Sequence, residues 1–377
     1  MNRFGRGESI STGRGPLSRL DVPSAVATGL LACIGVVAAW LNARAYGQEL
    51  LSTGSLFLRM TAWVAIATAV YLVVAANHWS WVRTFAWPLY GANVALLLAT
   101  LVYGVDSGGN ARALAVFGIT IQSSEISKVI ATIAVATALT RVGRARGGVR
   151  DVLLACTVIV PIFLLVAMQP DLGTGLVLVV ALFGALLFSG VASRWLAALA
   201  ALGAAIVPIA WIFVVREYQK ERLLAFIDPH ADPAGPKYQL TRSIDAISRG
   251  GLFGVGFDGS ASVAPLPVQE SDFVFASLVR ATGLVGGLLV IGLLALLAAR
   301  LAIHAWNSDD AFGVILAGGM ASIVTFQAVI NIGMNLGIAP ITGIPLPFVS
   351  YGGASVVSLA FGLGLVQSHV AYGGTPE

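Results

Sequence analysis

Charge is what this chain has least of. Only 11% of its 377 residues are Asp, Glu, Lys or Arg, less than half the share usual in soluble domains, about 25%. So little charge cannot cover the surface of one or two soluble domains, and a soluble fold is excluded. Cysteine is nearly missing as well. Cys33 and Cys156 both lie in apolar stretches with no CxxC or metal-ligand spacing. That excludes a disulfide framework and a cysteine metal site, and both read as small hydrophobes. No repeat with a period of roughly 20–50 residues is visible, which removes solenoids and propellers. The N-terminus also lacks a small-residue cleavage pattern. It is polar, Gly-rich and basic through Arg3, Arg6, Arg14 and Arg19, and residues 1–20 read as a disordered cytoplasmic tail rather than a cleaved signal peptide.

What is present is hydrophobicity in blocks. The chain is 57% apolar with a mean hydropathy of +0.87. Uncharged stretches lie near 22–41, 60–76, 84–105, 152–168, 172–193, 195–215, 281–299, 311–336 and 351–368, and another at 126–140 carries one lysine. Each approaches the roughly 20 residues that cross a bilayer as a helix. The expectation is an all-α membrane protein: a single membrane domain of ten helices over residues 21–370, then a short cytoplasmic tail at 371–377.

Orientation follows from basic residues in short connections. With the N-terminal tail in the cytoplasm, Arg83, Arg141, Arg144, Arg146, Arg150, Arg194, Arg300 and His304 all fall on that side. The net charge of +4 therefore reads as inner-membrane topology with both termini cytoplasmic, not as nucleic-acid binding. One connection, 216–280, is long and by crossing count extracytoplasmic. Its apolar and charged residues interleave at Arg222–Ile227 and Tyr238–Ile247, so a folded cap with amphipathic stretches on the membrane surface is expected.

Five polar clusters stand outside the helices, and the crossing count puts all of them on the extracytoplasmic face. They are Asn110-Ala-Arg112, then Gln122-Ser-Ser-Glu125-Ile-Ser-Lys128, Gln169-Pro-Asp171-Leu-Gly-Thr174, Leu266-Pro-Val-Gln-Glu270-Ser-Asp272-Phe, and Asn331-Ile-Gly-Met-Asn335 with Thr342 to Gly353. Each also has a structural reading. Glu125 suits a helix N-terminus and pairs with Lys128 at i, i+3. Asp171 and Asp272 sit where capping residues belong. The prolines of Gly343-Ile-Pro-Leu-Pro-Phe348 force extended backbone, which survives at membrane depth only when buried or lining a cavity. Ser350, Tyr351 and Gly352 then open a helix whose free N–H groups suit an anion such as a diphosphate. An ionisable Lys128 inside a span tends to face a cavity. Glu270 stands two residues before Asp272, close enough for the two carboxylates to couple.

Taken in order, these motifs resemble the SEDS family, the RodA, FtsW and sporulation-type polymerases of peptidoglycan glycan strands. The resemblance runs from the first helix to the last, is strongest at Asn331 to Gly353, and looks closer to the RodA branch. Gln169-Pro-Asp-Leu-Gly-Thr174, Arg222-Leu-Leu-Ala-Phe-Ile-Asp-Pro229 and Tyr238-Gln239 share it. It implies glycosyl transfer from lipid II to a growing strand with release of undecaprenyl diphosphate, for cell-wall elongation and shape, beside a class B penicillin-binding protein. It also implies a catalytic Asp272, with Asp171, Glu125 and Lys128 as further site residues. Asn110, Arg112, Glu270, Ser350, Tyr351 and Gly352 are then expected at the substrate. A carboxylate at Asp272 suits removal of the acceptor hydroxyl's proton. Lys128, Arg112 or a divalent cation, Mg or Mn, suits the leaving diphosphate.

The chain departs from the family pattern where Ala113 replaces a Trp, Val268 and Glu270 replace a Glu and a His, and Arg280 and Ala281 replace a Glu pair. Two other readings stay open. A non-catalytic scaffold regulating the penicillin-binding protein fits those departures. A lipid II flippase would place polar groups along a path near the midplane.

Overall fold

The computed structural model describes residues 19–106, 111–116, 119–141, 147–213, 215–227, 236–257 and 270–373. Of the expected tails, 1–20 and 371–377, residues 1–18 and 374–377 lie outside these, and residues 371–372 belong to the last helix. The described residues contain twelve helices. Ten form the bundle: α1 Val22–Ala45, α2 Leu56–Ala76, α3 Ser80–Tyr103, α4 Ser123–Arg141, α5 Val149–Met168, α6 Leu172–Phe188, α7 Ser193–Phe213, α10 Val274–Asn307, α11 Ala311–Asn335 and α12 Gly353–Tyr372. Two more, α8 Glu217–Ile227 and α9 Pro236–Gly250, lie in the long connection. Eight of the ten are long and apolar enough to cross a membrane. The chain is an all-α multi-pass membrane protein.

The other two bundle helices are inner ones. α6 has only 17 residues. α4 carries Glu125 and Lys128, and almost every residue from Ser123 to Leu139 is buried. Small residues allow this. Gly319 of α11 lies against the Thr132 methyl of α4, and Gly362 of α12 sits on Met320 and Val129, so helix axes approach closely and dispersion contacts replace a hydrophobic drive that lipid cannot supply. α7 is the opposite case, with no buried residue and its main contact to α6.

Three findings differ from the sequence reading. First, α10 is much longer than 281–299. It runs 34 residues and bends at Gly283, where φ is +72°. Arg280 is buried within it and Arg300 and His304 extend it, so a search for uncharged runs cuts it at both ends. Second, three short antiparallel strands join α3 to α4: β1 Val105–Asp106, β2 Ala111–Val116 and β3 Ile119–Ile121. Third, polar clusters are not confined to one end of the bundle. At the end away from the long connection, Arg300 grips both oxygens of Asp21, while His304, His369 and Asp310 form a chain. These residues stand singly in sequence, and only the fold gathers them.

The amphipathic stretches expected in the long connection are α8 and α9. α9 packs on α10, and its Ser243 hydroxyl donates to the Asn335 carbonyl at 2.9 Å, which ties the cap to the end of α11.

Candidate active site

The turn Glu270–Phe273 leads into α10 and is fixed from three sides. Asn331 and Asn335, at the end of α11, donate their side-chain amides to the Asp272 carbonyl at 3.3 and 3.0 Å. Asn335 also accepts the Ala276 N–H at 3.0 Å, satisfying one of the unpaired donors of the first turn of α10. From the extended segment before α12, the Ser350 hydroxyl donates to the Ser271 carbonyl at 2.6 Å and accepts from the Leu346 N–H at 2.8 Å. The Tyr351 N–H donates to the Glu270 carbonyl at 2.8 Å. From the end of α1, the Tyr46 hydroxyl donates to the Glu270 carboxylate at 2.6 Å. Asn331, Asn335 and Ser350 are all buried, so leaving their bonds unmade would be costly, whereas the Tyr46–Glu270 bond is exposed.

The Asp272 side chain is half-buried and accepts the Ser271 hydroxyl at 3.0 Å. It faces Gly343, where φ is +73°. A Cβ on Gly343 would lie 3.7 Å from Asp272 Oδ2 and 3.6 Å from Arg222 Nη1, so carboxylate and guanidinium flank the same bare stretch of backbone. Arg222 is held there by α8. The Tyr218 hydroxyl and the Gln219 amide, one turn earlier, both donate to the Pro170 carbonyl at 3.0 Å.

Asp171 caps α6. Its Oδ1 accepts the Thr174 N–H at 3.1 Å, and its Oδ2 accepts Gln122 at 3.0 Å, Ser124 at 2.7 Å and the Thr174 hydroxyl at 2.9 Å. Four donors occupy the acceptor sites of that carboxylate, and they lock the start of α4 to the start of α6. Two residues on, a Cβ on Gly173 would lie 2.8 Å from the Thr342 carbonyl oxygen. The Asp171 turn is therefore stacked on the segment that carries Gly343 and, beyond it, Asp272.

Glu125 and Lys128 form an ion pair at 2.5 Å, with side-chain exposures of 5% and 0%. It lies inside the bundle beneath Ser124. No described hydrogen bond joins it to Asp272. Ser350 and the Tyr351 backbone are engaged in holding the Glu270–Phe273 turn, and Gly352 stands at the N-terminus of α12. Arg112 lies in β2; its side chain, all of Asn110 and Val268 lie outside the described residues. Two site residues were not singled out in the sequence. Arg222 sat inside a quoted motif with nothing to distinguish it from its charged neighbours. Tyr46 gave no signal.

Beside α4 runs an apolar groove of about 290 Å³, lined among others by Trp63 and Val70 of α2, Ile126 and Ile130 of α4, and Val357 and Phe361 of α12. Its wall touches the site's scaffold, because Ser358 also lines it and donates to the Glu125 carbonyl at 3.1 Å. Among the described residues no three His, Cys, Asp or Glu side chains converge as a metal cage.

The described residues thus form a bundle of membrane helices with an acid, a guanidinium and an apolar groove toward one end. A family model described as Cell cycle protein, FTSW_RODA_SPOVE, matches residues 24–372, and the chain belongs to this family. Peptidoglycan glycosyltransferase MrdB of Escherichia coli K12 is 37% identical over 282 residues, 74% of this chain and 76% of that one. A probable peptidoglycan glycosyltransferase FtsW of Acinetobacter baylyi is 33% identical over 317 residues, covering 80% and 77%. A solved structure concerned with coordination of polymerization and crosslinking by a peptidoglycan synthase complex superposes with a TM-score of 0.78 at 28% identity, covering 95% of this chain and 99% of that chain. A mutant of the rod shape determining protein RodA from Thermus thermophilus gives 0.71 at 25% identity with the same coverage.

Proposed function

We propose that this protein is a peptidoglycan glycosyltransferase. It polymerises lipid II into glycan strands at the outer face of the cytoplasmic membrane, with both termini cytoplasmic, and releases undecaprenyl diphosphate for cell-wall elongation and shape. The observation that carries this reading is the Asp272 carboxylate, set on a turn locked from three sides and facing Arg222 across Gly343. In the reaction the acceptor hydroxyl attacks the donor's anomeric carbon and its proton passes to the Asp272 carboxylate. The bond from that carbon to the diphosphate oxygen breaks, and the electron pair leaves with undecaprenyl diphosphate. Arg222 is the cation placed to meet that developing charge, since a guanidinium matches phosphate oxygens in pairs. Lys128 is buried and already paired, and in this arrangement supports the scaffold. The apolar groove beside α4 suits a polyprenyl chain.

A closed protein cage for a divalent cation does not fit the described residues. A Mg or Mn ion held by one or two carboxylates together with substrate phosphates is the remaining arrangement, and Asp272 and Glu270 are the donors available. Such an ion would supply charge neutralisation at the diphosphate.

Two of the departures from the family pattern are accommodated by the fold. Glu270 has Tyr46 as a partner and Arg280 is buried inside α10, which supports a retuned site over a derelict one. A class B penicillin-binding protein is the proposed partner. Incubating the purified chain and that partner with lipid II and resolving the products by size tests the reading: polymer supports it, and no polymer with any such partner would favour a scaffold. Arg222→Gln should lower strand formation by about a hundredfold or more, with thermal unfolding unchanged.

A further inference from the structure

We propose that the end of the bundle opposite the active site carries a proton-operated latch, in which Asp310, His369 and His304 form one hydrogen-bonded chain that joins α11, α12 and α10 and parts when both rings are protonated. His369 Nε2 lies 3.2 Å from Asp310 Oδ2, and His369 Nδ1 lies 3.1 Å from His304 Nε2. The ring of His369 has one seat. A side chain on Gly313 would collide with it, and Trp79 packs on its side at 5.2 Å between ring centres. Asp310 is itself fixed, accepting the Gly313 N–H at 2.9 Å as the cap of α11.

A second tie adjoins the first. Arg300, one turn before His304, holds Asp21 at 2.6 and 3.1 Å. Gln367, on α12, accepts the Asp21 N–H at 2.8 Å and donates to the Asp21 carbonyl at 3.1 Å. A cavity of about 10 Å³, the size of one water, separates Asp21, Tyr71, His304 and Gln367. The titratable and charged groups around the two rings are Asp21 on α1, Tyr71 on α2, His78 and Arg83 at the start of α3, Arg300 on α10, Asp310 with exposed Asp309 beside it, and Tyr372 on α12.

Counting protons gives the switch. Burial pushes the Asp310 carboxyl up, but the His369 and Gly313 hydrogen bonds outweigh it and hold it below the usual carboxylate value. It stays an acceptor, so His369 Nε2 carries a hydrogen. The 3.1 Å contact between the rings then needs one hydrogen and one bare nitrogen. A single added proton leaves that arrangement intact. A second puts hydrogens on both facing nitrogens and sets two cations against each other. The closed chain has no place for that proton and the open one does, so acid favours opening. A ring released into solvent takes up a proton near the ordinary histidine value of about 6.5, so opening gains as pH falls below it.

The latch bears on the active site through two helices. α12 begins beside Tyr351 and ends at the latch, and α10 begins beside Asp272 and, beyond its bend at Gly283, ends there too. Slower strand formation on acidification is the consequence, and it rests on the proposed function. The test of the latch does not. In lipid nanodiscs, amide hydrogen exchange of residues 300–307 and 364–372 is followed at pH values of about 7.5 and 5.5, corrected for the intrinsic rate. The native chain should exchange about tenfold faster at the lower pH, and His304→Gln and His369→Gln should each largely remove that gain. A native chain without the gain, or variants that keep it, would overturn the latch. If His369→Gln fails to fold, the native chain and His304→Gln decide. An exchange response in a chain that never makes polymer would overturn the proposed function and leave the latch standing.

Discussion

Asp272→Asn is expected to reduce glycan-strand formation from lipid II by about a hundred- to ten-thousand-fold, the usual worth of a positioned general base, with no matching loss of stability. The second half of that expectation comes from how the turn is built. Asn331 and Asn335 hold the Asp272 carbonyl, and Ser350 holds that of Ser271. None of these bonds uses the carboxylate, so an amide of the same shape leaves the turn in place. The acceptor hydroxyl then keeps its seat but loses the group that takes its proton. Strand length on gels and the thermal midpoint, measured on one preparation, check both halves. Activity within a fewfold of native would remove Asp272 from proton transfer. A collapse of the midpoint would show that the carboxylate, not the backbone, holds the turn. Asp171→Asn should behave in the reverse way. That carboxylate accepts four hydrogen bonds joining α4 to α6, so stability should fall along with activity.

The ten bundle helices were legible because the requirement behind them is one-dimensional: a span must be apolar over a length the bilayer fixes. Where that requirement lapses, apolar length no longer marks an element's ends. α10 holds Arg280 in a buried position and runs on through Arg300 and His304, and no uncharged window shows that. The strands after α3 are too short to carry an alternation pattern, with β1 only two residues long. In the site, Asp272 and Asp171 were legible as residues but not as a division of labour. What marks Asp171 as a brace is the set of donors that reach it from Gln122, Ser124 and Thr174, and those meet only in the fold. Arg222 acquires its place only when Tyr218 and Gln219 meet Pro170, some fifty residues away in sequence. The latch residues were invisible for the same reason: six separated positions have no pattern until four helix ends meet.

The Glu125–Lys128 pair should give the largest stability effect in the molecule. Both groups are buried, 2.5 Å apart, and removing one partner leaves an uncompensated charge, which costs about 3–5 kcal/mol. Glu125→Gln and Lys128→Met should each lower the thermal midpoint markedly. The double variant should recover part of the loss, because neither charge is left uncompensated although the buried Gln amide still needs a partner, and the departure from additivity measures the coupling. Activity of the double variant then assigns the pair. It lies beneath Ser124, whose hydroxyl holds Asp171, while Ser358 fixes the Glu125 carbonyl from α12. Every one of those neighbours is a scaffold contact. Strand formation in the double variant should therefore stay within about tenfold of native, well above the loss expected of Asp272→Asn. A double variant that is stable and inactive would put Lys128 or Glu125 at the reacting centre, with the ion pair opening in some step of the cycle to deliver one of them.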